Sequence, residues 1–417
     1  MRQVTSAPPT RSTPTLGSTA EAGFCPQRTA RLTEVLQSEI DRQRLPGAVV
    51  LIARHGKIAL FQSLGAQNPE TGEPMALDSI FRIYSMTKPI VSVAVMMLME
   101  QGRVLLDDPV GRYLPEFALQ QVADVSASHD KPRLRPASRP ATVQDLLRHT
   151  AGLTYEFMGA EPVHKQYAGA DIGSRQRSNA EFSQALAALP LIADPGSVWE
   201  YSRATDVLGR LVEVLSGQTL GEFLHEHILT PLGMIDTGFS VSPRHHGRIA
   251  EPFARDPDGG VPLSLINVRR DAALQSGGGG LVSTAMDYAR FLQFMLNRGE
   301  LDGVRLLGPR TVDFMTADHL GAIPVNPSSA SPTVLPPGHG FGLGFAVRTA
   351  QGLAAMPGSA GLYYWGGIAG TTFFVDPALD LLALMMIQAP NQRDYYRPLF
   401  RNLVYAALLD QPTSFEA

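Results

Sequence analysis

Ser85-Met86-Thr87-Lys88 sets a hydroxyl and an amine three residues apart. On a helix, positions three apart share a face with Cβ atoms about 5–6 Å apart, so the Lys88 amine can act as base for a Ser85 nucleophile. The pattern occurs a second time, as Ser128-His129-Asp130-Lys131, and context has to separate the two. Ser128 and Lys131 stand in a polar, proline-flanked stretch where an ammonium stays solvated and protonated. Ser85 precedes an apolar run at residues 90–99. Pro89, which has no N–H to donate, fits the first turn of a helix starting near Ser85. A lysine amine accepts a proton near neutrality only where burial or a neighbouring cation disfavours its charged form. The apolar run supplies that burial.

Cation usage makes the same distinction. Of 35 Lys plus Arg residues only Lys57, Lys88, Lys131 and Lys165 are lysine. Arginine is not deprotonated in a protein, so a position that must give up a proton requires lysine. A second titrating group is needed to relay the proton to a leaving group. The candidate is Tyr201, in the turn Pro195-Gly196-Ser197-Val198-Trp199-Glu200-Tyr201-Ser202 ahead of an apolar helix at residues 207–215. By position alone, ordinary packing is the commoner use of such a tyrosine.

The elements that must carry these residues follow from periodicity. A helix around residues 28–43 precedes an apolar run at 47–54, which meets His55-Gly56 and a second run to residue 64, a β-hairpin pattern. Residues 90–99 are apolar almost all round, with Gly102 just beyond, and read as a helix buried on every side. Thr142-x-x-Asp145, Thr219-x-x-Glu222 and Thr284-x-x-Asp287 each open a helix with a capping box. Residues 124–140 and 324–339 read as loops. Short strands at 342–347, 362–365, 371–375 and 381–387 and a helix around 396–409 close the chain. With β character at both ends, edge pairing calls for one sheet assembled from both termini beside an inserted helical lobe.

Composition narrows the function classes. A chain of 417 residues exceeds one small core. Net charge −4 and no basic stripe interleaved with aromatics argue against nucleic acid. No apolar stretch has membrane-spanning length, so no membrane partner is expected. The single cysteine, Cys25, excludes an intrachain disulfide and fits a reducing compartment, with the cytoplasm as the expected location. Residues 1–23, rich in Pro, Ser and Thr and without the apolar core of a secretory signal, read as a flexible extension. His225-Glu226-His227 and His245-His246 have no third ligand at a recognised spacing, so no metal is expected. Gly-x-Ser-x-Gly, Walker A and Gly-x-Gly-x-x-Gly motifs are absent, and no cofactor is expected.

Ser85-Met86-Thr87-Lys88, Tyr201-Ser202 and Trp365-Gly366-Gly367 follow in an order that resembles the serine β-lactamase and penicillin-binding superfamily, and within it the family VIII carboxylesterases. Leu146 to Leu153, Pro231-Leu232-Gly233-Met234 and Gly340-Phe341-Gly342-Leu343-Gly344-Phe345 are similar to that group as well, and the resemblance spans residues 45–417. It implies an α+β, β-lactamase-like fold: an antiparallel sheet from both termini flanked by helices, with the active site between it and a mainly helical lobe. In that division residues 24–417 form the serine hydrolase domain, with an α/β lobe at 24–84 and 340–417 and the helical lobe at 85–339. The resemblance implies Ser85 as nucleophile, Lys88 and Tyr201 as a coupled base and acid, and an oxyanion hole from the backbone amides of Ser85 and Ile368. Trp365, Gly366, Gly367 and Arg203 would bind substrate. β-Lactamases usually carry Lys-Thr-Gly at the Trp365 position, and loss of that cation favours small neutral esters; acyl transfer or β-lactam hydrolysis would use the same residues. A non-catalytic ligand-binding module would keep the fold without turnover.

Overall fold

The computed structural model describes residues 12–124 and 132–409. Ser128 and Lys131 of the second serine–lysine pattern lie outside the described residues. The frame is a nine-stranded sheet: β1 (Thr15–Leu16), β2 (Gly47–Arg54), β3 (Lys57–Asn68), β4 (Glu73–Pro74), β5 (His339–Phe341), β6 (Ala346–Arg348), β7 (Tyr363–Gly366), β8 (Thr372–Asp376) and β9 (Leu381–Met386). Its order is β1-β3-β2-β9-β8-β7-β6-β5, with β4 on β3, and every pairing is antiparallel except β1 with β3. The two ends of the chain meet where β9 pairs with β2, from Leu381 opposite Arg54 to Met386 opposite Val49.

Strand β2 reads as a continuous apolar run because both of its faces are covered. Val49, Leu51 and Ala53 enter the larger core, and Ala48, Val50 and Ile52 enter a second core beneath α1 (Pro26–Asp41) and the last helix (Arg393–Ala407). Leu382, Leu384 and Met386 of β9 follow the same alternation on the larger-core side. That core contains α2 (Thr87–Glu100), buried from Thr87 through Leu98 as its all-round apolar pattern requires. Α 3-10 turn, Tyr84–Met86, leads into α2.

Four departures from the sequence expectation have local causes. The described part of the expected extension joins the sheet: β1 pairs with Lys57 and Ile58, the Thr13 amide donates to Asp302 Oδ1 at 2.7 Å, and Ala22 is fully buried. The polar residues after Gln120 are not all loop, because Gln121–Asp124 pairs with Arg133–Pro136 as a hairpin. Residues 342–347 were expected as one strand, but the chain turns between β5 and β6. Gly344 sits there at φ 98°, and a Cβ on it would stand 2.4 Å from Ser92 Oγ of α2. The capping boxes at Thr142 and Thr219 form reciprocally. Thr284 accepts from the Asp287 amide, but the Asp287 carboxylate is drawn away to the Asp236 amide and the Thr237 hydroxyl.

Candidate active site

Ser85 stands in the 3-10 turn ahead of α2, a turn held from three sides. Tyr288 Oη donates to the Met86 carbonyl at 2.8 Å, the Leu281 amide donates to Thr87 Oγ1 at 3.1 Å, and the Ile266 amide donates to Tyr84 Oη at 3.0 Å. Tyr84 takes φ 43°, a left-handed conformation uncommon outside glycine, directly before Ser85. The packing around Tyr84 over-determines that backbone.

One turn on, Lys88 is fully buried and reaches three oxygens: Ser85 Oγ at 3.2 Å, Tyr155 Oη at 3.0 Å and the Gly278 carbonyl at 2.7 Å. The Gly278 carbonyl is fixed through its own amide, which donates to Asp206 Oδ1 at 2.9 Å from the helix Ala204–Ser216. A Cβ at Gly278 would lie 2.7 Å from Asp206 Oδ2, which accounts for a glycine at that place in the Gly277–Gly280 run.

Tyr201 arrives from the other side and donates to Ser85 Oγ at 2.7 Å. Its ring is stacked near Trp199 at 6.1 Å between centroids, with Tyr155, His149 and Trp365 at 5.2, 5.1 and 5.3 Å. Trp365 Nε1 donates to Tyr201 Oη at 3.4 Å. Next to it, the buried Glu200 carboxylate accepts from Thr154, Asn326, Ser329 and Ser331 at 2.6–2.9 Å. The Tyr201 amide donates to Ser331 Oγ at 3.3 Å, so the segment read as a loop at 324–339 anchors the tyrosine. Burial, with Tyr201 and Asp206 nearby, pushes the Tyr155 phenol well above its ordinary pKa. Burial and the Lys88 charge hold His149 well below the usual histidine value, so its imidazole is neutral. It hydrogen-bonds Ser202 Oγ at 3.0 Å.

The end of β7 closes the site. Gly367 lies against the turn before Ser85, so near that a Cβ would stand 2.4 Å from the Ile83 carbonyl oxygen. Ile368, 40% exposed, follows in the turn toward β8. Among the described residues its amide donates to no protein acceptor. Ser85 is the second residue of its turn, among the first amides of a helical segment, which have no carbonyl behind them to bond.

The sequence-derived residues therefore converge, except that Arg203 has a different employment. Its guanidinium pairs with Glu156 at 2.5 Å and lies over the Tyr155 ring, 4.8 Å from the centroid. Tyr155 is the group that sequence reasoning missed. It follows the quoted stretch Leu146 to Leu153 by two residues in an irregular segment, where no periodicity marks a side chain as pointing inward.

The family profile for beta-lactamases matches residues 32–406. The chain belongs to the beta-lactamase family. Among its relatives is esterase EstB of Burkholderia gladioli, 36% identical over 378 residues, covering 86% of this chain and 89% of EstB. Monacolin J acid methylbutanoyltransferase of Aspergillus terreus is 28% identical over 420 residues, covering 94% and 99%. Among solved structures, EstCE1, a hydrolase with promiscuous acyltransferase activity, superposes with a TM-score of 0.76 at 29% identity, covering 93% of this chain and 99% of EstCE1. Within the beta-lactamase family, this chain places Trp365 rather than a lysine on the strand beside the serine. The indole is 4% exposed and turned to Tyr201 and Phe341.

Proposed function

We propose that the protein is a serine carboxylesterase of the family VIII type that hydrolyses small neutral esters through an acyl-enzyme on Ser85. The observation that carries this reading is one oxygen, Ser85 Oγ, lying 2.7 Å from Tyr201 Oη and 3.2 Å from Lys88 Nζ. Lys88 and Tyr201 act as a pair that takes the Ser85 proton as Oγ attacks the ester carbonyl, and the pair returns it to the departing alcohol. The negative charge on the carbonyl oxygen is met by the amides of Ser85 and Ile368, donors whose removal typically costs about 10²–10³ in rate. Water then enters where the alcohol left and gives a proton to the same pair as its oxygen attacks the acyl carbonyl, and the acid departs as the bond to Ser85 Oγ breaks and the pair returns the proton to that oxygen.

The site's rim supports an apolar substrate. Phe157, 54% exposed, stacks on Tyr155 at 4.8 Å, and Ile368 is open to solvent. No lysine stands on β7 to hold a carboxylate. The names of EstCE1 and the methylbutanoyltransferase favour a second use of the same acyl-enzyme, in which an alcohol replaces water as acceptor. A chromogenic short-chain ester, turned over with and without an added alcohol, tests both. Acid release that disappears in Ser85→Ala supports the esterase, and a transferred ester formed at the expense of acid supports acyl transfer. Undiminished turnover by Ser85→Ala refutes the site.

Among the described residues no helix is long and apolar enough to cross a membrane. The lone Cys25 supports a reducing, cytoplasmic location, which subcellular fractionation would test.

A further inference from the structure

Gly366 and Gly367 are packed from two sides. The Ile83 carbonyl presses on Gly367, and the Arg397 guanidinium presses on Gly366, where a Cβ would stand 2.8 Å from Arg397 Cζ. Arg397 projects from the last helix, on the opposite face of the sheet from α2, and its Nη2 donates to the Gly367 carbonyl and, at 3.4 Å, to the Thr371 carbonyl. Its Nε is buried without a hydrogen-bond partner, and among the described residues no carboxylate forms an ion pair with it. A half-buried cation here is thus directed at backbone carbonyls. Burial and the neighbouring Arg393 push it down to about 10, which leaves it charged at neutral pH.

The Gly367 carbonyl and the Ile368 N–H belong to one peptide unit. A trans peptide is planar and points these two groups in opposite directions, so a donor that fixes the carbonyl also fixes the N–H. A charge-assisted bond to the carbonyl further polarises the amide and strengthens its N–H as a donor. We propose that Arg397 is a positioning residue for the reaction. By holding the Gly367 carbonyl from the far face of the sheet, beside the Gly370 amide that donates to the same oxygen at 3.0 Å, it aims the Ile368 amide at the developing oxyanion and sharpens it as a donor. Gly366 is glycine so that the guanidinium can approach. This inference rests on the reading of Ile368 as an oxyanion donor.

The test is infrared difference spectroscopy of the acyl-enzyme formed from a slowly deacylating ester, beside steady-state kinetics, in the parent, Arg397→Gln, Arg397→Lys and Gly366→Ala. A well-made oxyanion hole lowers the acyl carbonyl stretch. In Arg397→Gln that stretch rises toward its value in water, kcat falls by about tenfold or more, less than the ~10²–10³ for removing a donor outright, and KM changes little. Arg397→Lys restores part of both. Gly366→Ala, which displaces the guanidinium without removing it, reproduces the effect, and combining it with Arg397→Gln adds less than the two singly. An unchanged carbonyl stretch in folded Arg397→Gln and Gly366→Ala overturns the role of Arg397 while leaving the acyl-enzyme intact. Failure of the parent itself to form an acyl-enzyme on Ser85 overturns the underlying site instead.

Discussion

Tyr155 Oη lies 3.0 Å from Lys88 Nζ, and the two residues are 67 positions apart in the chain. With the Gly278 carbonyl on another side, this contact fixes the amine within reach of Ser85. Arg203, paired with Glu156, covers the face of the same phenol ring. Tyr155→Phe removes the hydroxyl and leaves the ring packed. Leaving a buried donor without its partner costs about 1–3 kcal/mol, so kcat for a short-chain ester should fall by about fivefold to a hundredfold with little change in melting temperature. Full activity in that variant would make Tyr155 packing alone.

Tyr201 is the residue best placed to pass a proton between Ser85 and the leaving group. Proton transfer by a positioned side chain contributes about 10²–10⁴ in rate, and Tyr201→Phe should lose kcat within that range. The ring stays among Trp199, His149 and Trp365, so circular dichroism and the melting temperature should match the parent. A loss confined to KM would assign the hydroxyl to substrate binding.

Asp287 supplies a pH signature of the fold rather than of the chemistry. Its carboxyl is pushed up to about 6 by burial, in spite of bonds from the Asp236 amide and Thr237. Its native value lies above the unfolded one, so its contribution to stability is complete below the ordinary carboxylate range and is lost as pH rises through about 6. Asp287→Asn removes that loss. Stability of the variant relative to the parent, measured by urea unfolding, should therefore improve between about pH 4 and 7, by on the order of 2 kcal/mol. A difference independent of pH would contradict the raised value.

Much of this arrangement was legible in the sequence because local rules and tertiary demands agree there. Residues 90–99 are apolar on every face, and α2 is buried on every face. The run at 47–54 is apolar throughout, and both faces of β2 are covered. What escaped depends on contacts between distant segments. Tyr155, the Gly278 carbonyl and Arg397 carry no motif, since each acts through its position against residues far away in the chain. The turn at Gly342 to Phe345 was hidden by β-forming neighbours, and it is set by the positive φ of Gly344 over Ser92 of α2 and by the Met315 carbonyl against Gly342. Arg203 follows Tyr201-Ser202 closely enough to be taken for a substrate contact, yet its guanidinium is spent on Glu156.

The central claim is that Ser85 Oγ carries the acyl group, and its most direct measurement is mass mapping of the protein after treatment with a serine-directed phosphonate ester. A single adduct on the peptide containing Ser85, absent in Ser85→Ala and greatly slowed in Lys88→Ala, is the predicted result. An adduct on any other residue, Ser128 included, or labelling of Ser85→Ala at the parent's rate, would contradict the account.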